Sequence, residues 1–253
     1  MALDVHLFPC LSDNYGILIR DRDTGQAATI DTPDAEAILS EAEKLGWKLT
    51  MILNTHWHPD HAGGNAAIKD RTGATIVGPV EVTRIAPLDR EVLEGDRIML
   101  GATEMAVIDT QGHTNGHVSY FAADDHMVFV GDTLFALGCG RLFEGTPQAM
   151  WSSLAKLTAL PDDTKVYCAH EYTASNARFA LSVDDDPAVG ARAADVFAAR
   201  ERGEPTVPTT IGLEKATNPF LRAGLLARKL GETRGDPALD FAAVRAAKDG
   251  FRG

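Results

Sequence analysis

Four side chains that can bind a metal ion lie within six consecutive positions of the chain. They are His56, His58, Asp60 and His61. Imidazole nitrogen and carboxylate oxygen together suit zinc-like or iron-like ions. The spacing is too short for one ion to use all four donors, but a turn at Pro59 would let the first two face one ion and the last two another. The pattern predicts a metal-binding loop of this kind, and the weaker alternatives are a polar loop rich in histidine by chance or a regulatory metal site at the surface.

The neighbouring elements place this loop at the end of a strand. The apolar run 49–53 predicts a buried strand directly before it, and Gly63-Gly64-Asn65 after it predicts the start of a helix. A loop that leaves the end of a strand can aim several side chains at one point. Asp31 follows another predicted strand, 26–30, and is either a hydrogen-bond partner that supports the loop or a simple turn residue.

The segment Thr55-His56-Trp57-His58-Pro59-Asp60-His61 resembles the signature of the metallo-β-lactamase superfamily, which is a highly specific motif. The resemblance implies two metal ions and three further ligands from later loops, namely a histidine, an aspartate and a histidine at strand ends. Each expected ligand follows a predicted strand: His113 follows 104–108, Asp132 follows 127–130 and His170 follows 165–168. His117, close to the first of these, is assigned a supporting role.

The resemblance also implies how the ligands are shared. The first ion takes His56, His58 and His113, the second takes Asp60, His61 and His170, and Asp132 bridges both. We expect zinc, with iron and manganese as alternatives because they accept the same ligands. Two ions that share a water lower its pKa toward neutrality. The expected catalytic residues are Asp132, as the bridge, and Asp60, which binds metal and orients the water or accepts its proton.

Further segments resemble glyoxalase II, also called hydroxyacylglutathione hydrolase, so the resemblance covers nearly the whole chain. These segments are 138–145, 170–173, 218–222 and 245–249. Carried over by position, the residues that contact glutathione are Arg141, Phe143, Tyr172, Arg245 and Lys248. Phe143 lacks the hydroxyl of a tyrosine, so we expect one hydrogen bond to the tripeptide to be absent. From the local sequence alone, the two cations of the last helix would simply face solvent.

The implied reaction is hydrolysis of S-D-lactoylglutathione and other 2-hydroxyacyl-glutathiones, the second step of methylglyoxal detoxification. A metal-bridging hydroxide attacks the thioester carbonyl, and D-lactate and glutathione are released from the lactoyl substrate. Three alternatives remain: a glutathione persulfide dioxygenase with one iron, a lactonase or β-lactamase-like hydrolase, and a non-catalytic metal-binding module. The complete second set of ligands and the helical tail argue against the dioxygenase, and the intact ligand set argues against the non-catalytic module.

Composition limits the class of protein. The chain has 253 residues, 45% of them hydrophobic, and a net charge of −12, which argues against a general nucleic-acid surface. No apolar run approaches the ~20 residues needed to span a bilayer, and the N-terminus lacks the features of a signal peptide. The three cysteines, Cys10, Cys139 and Cys168, fit a reducing compartment. We therefore expect a cytoplasmic monomer that acts on a small molecule.

Strand-like segments alternate with helical ones up to His170, and only helical segments follow. The predicted strands are 3–8, 14–20, 26–30, 49–53, 75–77, 97–100, 104–108, 118–122, 127–130 and 165–168; the predicted helices are 34–45, 65–70, 146–160, 173–183, 187–202 and 239–248. This order favours sheets covered by helices. Together with the resemblance, it predicts an α/β (α+β) fold, the αββα metallo-β-lactamase sandwich of two mixed β-sheets flanked by helices. The expected domains are 1–171, catalytic, and 172–253, helical and substrate-binding.

Overall fold

A computed structural model describes residues 2–253, which form two compact units. The first unit contains the residues up to Asp109 together with Gly116–Gly131. The second contains Thr110–Asn115 together with Asp132–Gly253. Among residues 2–253, no helix has the length and apolar character needed to cross a membrane.

A six-stranded mixed sheet forms much of the first unit. Its strands, in both chain and sheet order, are β1 (Leu3–Cys10), β2 (Asn14–Asp21), β3 (Ala27–Ile30), β4 (Leu49–Leu53), β5 (Thr75–Gly78) and β6 (Arg90–Glu91). The pairs β1–β2 and β2–β3 are antiparallel, whereas the pairs from β3 to β6 are parallel. The sequence predicted β1 to β5 within two residues. It missed β6, whose two exposed residues carry no apolar pattern.

Helices of the first unit bring the chain back to the sheet. They are α1 (Ala35–Leu45), α2 (Pro59–Ala62) and α3 (Asn65–Thr72), with a 3₁₀ turn at Val80–Arg84. The carboxylate of Asp34 accepts hydrogen bonds from the first N–H groups of α1, and Gly46 ends that helix with a φ of 65°. Ile38 and Ala42 of α1 pack into an apolar cluster with Ile52 of β4. This packing anchors the strand that leads into the predicted metal loop.

Four further strands of the first unit form an antiparallel ladder. They are β7 (Arg97–Leu100), β8 (Thr103–Asp109), β9 (Val118–Ala122) and β10 (Met127–Gly131), and each pairs with the next along the chain. All four were predicted within a residue at each end. The turn from β8 to β9 carries His113, and β10 ends directly before Asp132.

The second unit is mainly helical, as predicted for the end of the chain. Its helices are α4 (Pro147–Thr158), α5 (Thr173–Val183), α6 (Pro187–Glu201), α7 (Ile211–Thr217), α8 (Ala223–Lys229) and α9 (Pro237–Gly250). The sequence predicted α4, α5, α6 and α9. It missed α7 and α8, which have seven residues each and a glycine in the first turn.

The sequence predicted one strand of the second unit, 165–168, with the observed bounds, and it missed three two-residue strands. β11 (Leu134–Phe135) and β12 (Gly138–Cys139) form a hairpin, and β13 (Lys165–Cys168) pairs with β14 (Thr209–Thr210). The expectation that no strand follows His170 is therefore wrong at β14. Two residues cannot show an alternating pattern, and β14 forms only because Val166 and Lys165 lie beside it.

Candidate metal ligands and substrate pocket

The predicted metal loop of the first unit holds its four donors in two close pairs. The chain leaves β4 and turns at Pro59, the first residue of α2. Nε2 of His56 lies 3.0 Å from Nδ1 of His58, and Nε2 of His61 lies 3.5 Å from Oδ2 of Asp60. These are the two pairs that the spacing predicts.

The separations within these pairs fit a shared metal ion. A tetrahedral ion with bonds of about 2.0–2.1 Å holds its ligand atoms about 3.3–3.4 Å apart. The observed separations of 3.0 Å and 3.5 Å bracket this value. The donor types, three imidazoles and one carboxylate, also suit a divalent transition metal.

Asp31 determines which ring nitrogens of two donors carry the proton. Its carboxylate accepts hydrogen bonds from the backbone N–H of Thr55 (2.7 Å) and from the Thr55 hydroxyl (2.8 Å), and it lies 2.8 Å from Nδ1 of His61. Because the Thr55 proton points at Asp31, the 3.0 Å contact between Thr55 Oγ1 and His56 Nδ1 needs the ring N–H as donor. Both rings then present the lone pair of Nε2. Of the two roles considered for Asp31, the structure favours support of the loop.

Other residues that position the loop were missed by the sequence analysis. Asn14 donates to Oδ2 of Asp60 (3.1 Å), and Asn54 donates to the carbonyl oxygen of His61 (2.8 Å). His117, which was predicted to support the site, stacks on the ring of His56 with centroids 4.9 Å apart. No local pattern marks the two asparagines, because they meet the loop only through the tertiary fold.

The second unit holds three donors, a carboxylate and the two histidines beside it. Nε2 of His113 lies 3.3 Å from Oδ2 of Asp132, and Nε2 of His170 lies 3.4 Å from Oδ1 of Asp132. All three side chains are buried. The carbonyl oxygen of Arg141 lies 2.9 Å from Nδ1 of His113, which places the proton there and leaves the lone pair on Nε2. A carboxylate with one oxygen toward each histidine has an arrangement that suits a bridging ligand.

A cavity of about 430 Å³ in the second unit is lined by all five residues predicted to contact glutathione. They are Arg141, Phe143, Tyr172, Arg245 and Lys248. His113 and Asp132 line the same cavity, so its walls combine candidate metal donors with three cations. The volume is that of a small-molecule site. Ser175 and Asn176 of α5 also line it and were not predicted.

The two cations of α9 are held in different ways. Arg245 is buried, and it donates to the carbonyl oxygen of Cys139 (3.1 Å) and to Asp249 (2.8 Å). Lys248 is half-buried and donates to the carbonyl oxygen of Ser175 (3.1 Å). Burial lowers the pKa of Lys248 to about 8, and the neighbouring charges of Arg245 and Arg141 act in the same direction. Both residues face the cavity, so the local expectation that they only face solvent does not hold.

Aromatic rings complete the walls of the cavity. The ring of Tyr172 stacks on His170 with centroids 4.7 Å apart and planes 4° from parallel. Phe143 is 63% exposed and meets the ring of His113 edge-on at 5.2 Å. Phe135, which the sequence analysis did not select, lies edge-on to Tyr172 at 5.4 Å. These rings give the cavity apolar surface beside the donors.

The three cysteines are buried free thiols. Burial raises the pKa of Cys139 to about 11 and that of Cys168 to about 12. Cys139 lines the cavity, but a thiol with so high a pKa is a poor nucleophile. The chemistry of the site therefore rests on the histidines and carboxylates.

Known families match the chain along nearly its whole length. Residues 22–170 match the family described as "Metallo-beta-lactamase superfamily", and residues 171–251 match "Hydroxyacylglutathione hydrolase C-terminus". Two curated relatives are both called hydroxyacylglutathione hydrolase. The one from Erythrobacter litoralis is 52% identical over 98% of this chain and 100% of its own length, and the one from Maricaulis maris is 56% identical over 98% of each.

A solved structure supports the same fold. The crystal structure of ETHE1 from Myxococcus xanthus aligns with a TM-score of 0.67 at 29% identity and covers 98% of each chain. The matches confirm the predicted fold class, an α/β fold with two mixed β-sheets, flanking helices and a helical C-terminal part.

Proposed function

The chain belongs to the hydroxyacylglutathione hydrolases of the metallo-β-lactamase superfamily, and on that premise we propose that it hydrolyses S-D-lactoylglutathione and other 2-hydroxyacyl-glutathiones. The observation that carries the proposal is the cavity of the second unit, where Asp132 and His113 share the walls with three cations. Metal donors and carboxylate-binding cations in one cavity suit a substrate that joins a thioester to a peptide with free carboxylates. The proposed place of the reaction is the second step of methylglyoxal detoxification.

The superfamily fold and its clusters of histidine and aspartate indicate divalent metal ions. We propose two ions, zinc before iron or manganese, with the ligand sets that the family resemblance implies. These sets are His56, His58 and His113 for one ion and Asp60, His61 and His170 for the other, with Asp132 as the bridge. The Nδ1 protons placed by Asp31, Thr55 and Arg141 support this assignment, because they leave Nε2 as the binding atom.

The chemistry that bound divalent ions supply here is a water acidified toward neutral pH. Asp60, oriented by the amide of Asn14, is the proposed residue that aligns this water or takes its proton. The leaving group is the thiolate of glutathione, whose pKa of about 8.5 makes a separate general acid unnecessary. Asp132 contributes as a ligand and not as an acid, because both of its oxygens face histidine nitrogens.

The cations of the cavity are the proposed binding groups for the glutathione portion of the substrate. Glutathione carries two carboxylates and one ammonium group, and Arg141 can hold a carboxylate through a two-pronged contact, whereas Lys248 offers a point charge. Arg245 is buried against Cys139 and adds positive potential to the wall. Tyr172 has a hydroxyl to offer, and Phe143 has only its ring.

The proposal extends to the state and location of the protein. We propose a cytoplasmic monomer that binds neither nucleic acid nor a membrane. The net charge of −12 and three buried free thiols support this reading. The division into a catalytic domain, 1–171, and a helical substrate-binding domain, 172–253, likewise stands as a proposal.

The test is hydrolysis of S-D-lactoylglutathione by the purified protein before and after chelation, with metal content measured on the same samples. We expect turnover that chelation removes and that divalent metal restores, with about two ions per chain as the family resemblance implies. His170→Ala should lose metal and turnover, while His126→Asn, at an exposed turn, should keep both.

The opposite outcomes separate the alternatives. Fully metallated protein without thioester turnover would contradict the proposal, and oxygen uptake with glutathione persulfide would then favour the dioxygenase. Wild-type turnover by metal-loaded Asp132→Ala would contradict the bridging role of Asp132.

A further inference from the structure

The hairpin Leu134–Cys139, made of β11, a two-residue turn and β12, supplies part of the cavity wall. Phe135 and Cys139 of the hairpin line the cavity, and Arg141 follows two residues later. The ring of Phe135 lies edge-on to both His170 and Tyr172, at 6.1 Å and 5.4 Å. The position of this hairpin therefore fixes two residues that line the proposed glutathione pocket, Phe135 and Cys139.

Side chains from distant helices hold the backbone of this hairpin. Its turn residue Leu137 has a φ of 56°, a conformation that residues other than glycine rarely adopt. Four backbone groups of the hairpin are bound by three side chains: Asn218 donates to the carbonyls of Phe135 (3.2 Å) and Gly138 (2.9 Å), Asn176 donates to that of Ala136 (3.1 Å), and Glu214 accepts from the N–H of Leu137 (2.9 Å). A buried backbone needs such partners, and here they come from α5 and the end of α7.

Asn218 is fixed in place by the local sequence. Pro219 follows it and disfavours helical backbone, so α7 ends there and Asn218 takes a φ of −75° and a ψ of 120°. The side chain is 0% exposed. Its Oδ1 accepts the N–H of Phe220 (3.0 Å), which orients the amide so that its Nδ2 donor group faces the hairpin.

A buried charge pair supports the same arrangement. Nδ2 of Asn218 also donates to Glu214 (2.9 Å), and Glu214 is paired with the buried guanidinium of Arg192. Arg192 in turn donates to the hydroxyls of Thr217 (2.6 Å) and Thr209 (3.0 Å). Asn218 therefore lies where a network anchored in α6 and α7 meets the backbone of the hairpin.

We propose that Asn218 is a positioning residue for hydrolysis of the glutathione thioester, acting through the hairpin on the pocket that binds the tripeptide. This inference rests on the proposed function. Asn218 contacts the carbonyls of Phe135 and Gly138 and is not itself a lining residue of the cavity. Its loss should move Phe135 and Cys139, whereas the backbone of Arg141, which faces His113, and the contacts of His113 and His170 with Asp132 should stay in place. The consequence is weaker binding of substrate with nearly unchanged chemistry.

The experiment compares Asn218→Ala with the wild-type metalloenzyme. We expect the KM for S-D-lactoylglutathione to rise at least tenfold, kcat to stay within threefold, and metal content to stay unchanged. Amide hydrogen exchange across residues 134–141 should become faster. Asn218→Ser, which keeps one donor, should lie between the two in KM, and it carries the test if the alanine variant does not fold.

A matched control separates positioning from general stability. Asp21→Asn removes a buried carboxylate whose partners are Thr24 and Thr103 in the first unit. This substitution should lower Tm. The KM should stay within twofold of the wild-type value, and amide hydrogen exchange across 134–141 should be unchanged. An equal rise in KM in this control, or faster exchange in Asn218→Ala without a change in KM, overturns the inference.

Failure of the proposed function gives a different pattern. A wild-type metalloenzyme that hydrolyses no glutathione thioester removes the proposed function, and the role in hydrolysis falls with it. Exchange across 134–141 still tests the structural step by itself. If amide hydrogen exchange across 134–141 is unchanged in Asn218→Ala, Asn218 does not stabilise the hairpin, whatever the turnover of the wild type.

Discussion

At the scale of single residues, one carboxylate sets the proton positions of two proposed ligands. Asp31 faces Nδ1 of His61 directly and reaches Nδ1 of His56 through the hydroxyl of Thr55. A ligand ring with a fixed proton meets a metal without first changing its tautomer or orientation. Such supporting partners are typically worth 10–100-fold in metal affinity.

Asp31→Asn should therefore weaken metal binding by about 10–100-fold. Asparagine tolerates the φ of 58° at this position, but its NH₂ group must face either Thr55 or His61, each of which now donates there. Competition with a chromophoric chelator measures the affinity. Asp21→Asn is the control, since it alters a buried carboxylate of the same unit without touching the loop. Equal metal affinity in wild type and Asp31→Asn would refute the role of Asp31.

Phe143 lies at the cavity and lacks the hydroxyl that a tyrosine at this position would offer. Its ring is 63% exposed at the cavity beside His113. Phe143→Tyr should lower the KM for glutathione thioesters by about 2–10-fold with kcat unchanged, because one net hydrogen bond contributes about 0.5–1.5 kcal/mol. Steady-state kinetics measure it, with Phe143→Leu as the variant that tests the ring alone. A KM that does not change would mean that the ring does not face the tripeptide.

Residue types and spacing predicted the proposed ligands better than the residues that hold them. The histidine-rich loop can be recognised from the sequence because metal binding needs particular donor atoms, and here they lie close together in the chain. His113, Asp132 and His170 are ordinary loop residues, and only the resemblance to a family singled them out. No sequence pattern indicates the roles of Asn14 and Asn218, since each donates to a segment far away in the sequence. Hydrogen-bond partners of this kind emerge only when the fold is known.

At the scale of elements, the end of β10 must pass close to the metal loop. Gly131 has a φ of 47°, and a Cβ there would lie 2.5 Å from Oγ1 of Thr55 and 2.7 Å from Nε2 of His117. Thr55 is the residue that connects Asp31 to His56. The end of β10 and the metal loop can therefore approach this closely only because residue 131 is a glycine without a side chain.

Gly131→Ala should lower the free energy of unfolding by about 2–4 kcal/mol, combining about 1 kcal/mol of backbone strain with about 1–3 kcal/mol of overpacking. It should also weaken metal binding. Gly73→Ala is the matched control, because Gly73 has a φ of 73° and nothing within 4 Å of its Cβ position. That variant should lose only about 1 kcal/mol and keep its metal. Urea unfolding and metal analysis distinguish the two, and similar losses in both would contradict the steric argument.

Helix α9 brings a cation with an unusual pKa to the cavity. Lys248 has a pKa of about 8, lowered by burial and by Arg245, Arg141 and Arg178, with Asp249 acting in the opposite direction. The amine is charged below that pH and neutral above it. Its attraction for a carboxylate is therefore lost as pH rises through about 8.

The value of kcat/KM should accordingly fall above pH 8, mainly through KM. Lys248→Arg should extend the plateau to higher pH, because a guanidinium stays charged throughout this range. Rate profiles from pH 6.5 to about 10, with thioester self-hydrolysis subtracted, measure both. An identical fall in wild type and Lys248→Arg would assign the titration to another group.

Element length decided which parts of the fold the sequence could predict. α1 and α6 are long enough for apolar spacing and caps to agree, and both were predicted within a residue. The hairpin of β11 and β12 has two residues per strand, too few for any period. Its shape depends on side chains from α5 and α7, so no local signal could reveal it.

At the scale of the whole molecule, positive and negative charges are unevenly distributed. The chain has a net charge of −12, yet the cavity of the second unit gathers Arg141, Arg245 and Lys248. A net negative charge repels anions in general, so the cations of the cavity supply a local attraction for an anionic substrate. Under the proposed function, this placement favours a small peptide with two free carboxylates over a large polyanion such as nucleic acid.

The hairpin also bears on how the chain divides into domains. The predicted boundary between residues 171 and 172 remains a prediction, but Asn176, Glu214 and Asn218 all lie beyond it. Leu137 of the hairpin packs in an apolar cluster with Ala177, Ala180 and Val189, which also lie beyond it. The hairpin itself lies before the boundary. Part of the proposed catalytic domain thus depends on helices of the proposed second domain.

A chain ended at Glu171 should consequently leave the hairpin without its partners. Four backbone groups would lose the side chains that bind them, and each buried group left without a partner costs about 1–3 kcal/mol. We expect rapid proteolysis within 134–145 and no turnover of glutathione thioester, while the full chain resists cleavage there. Limited proteolysis with mass spectrometry and thermal unfolding test this on both chains. A truncated chain that unfolds cooperatively near the wild-type Tm with an intact 134–145 segment would establish that residues 1–171 fold without the helices, and that the contacts from α5 and α7 serve only the binding of substrate.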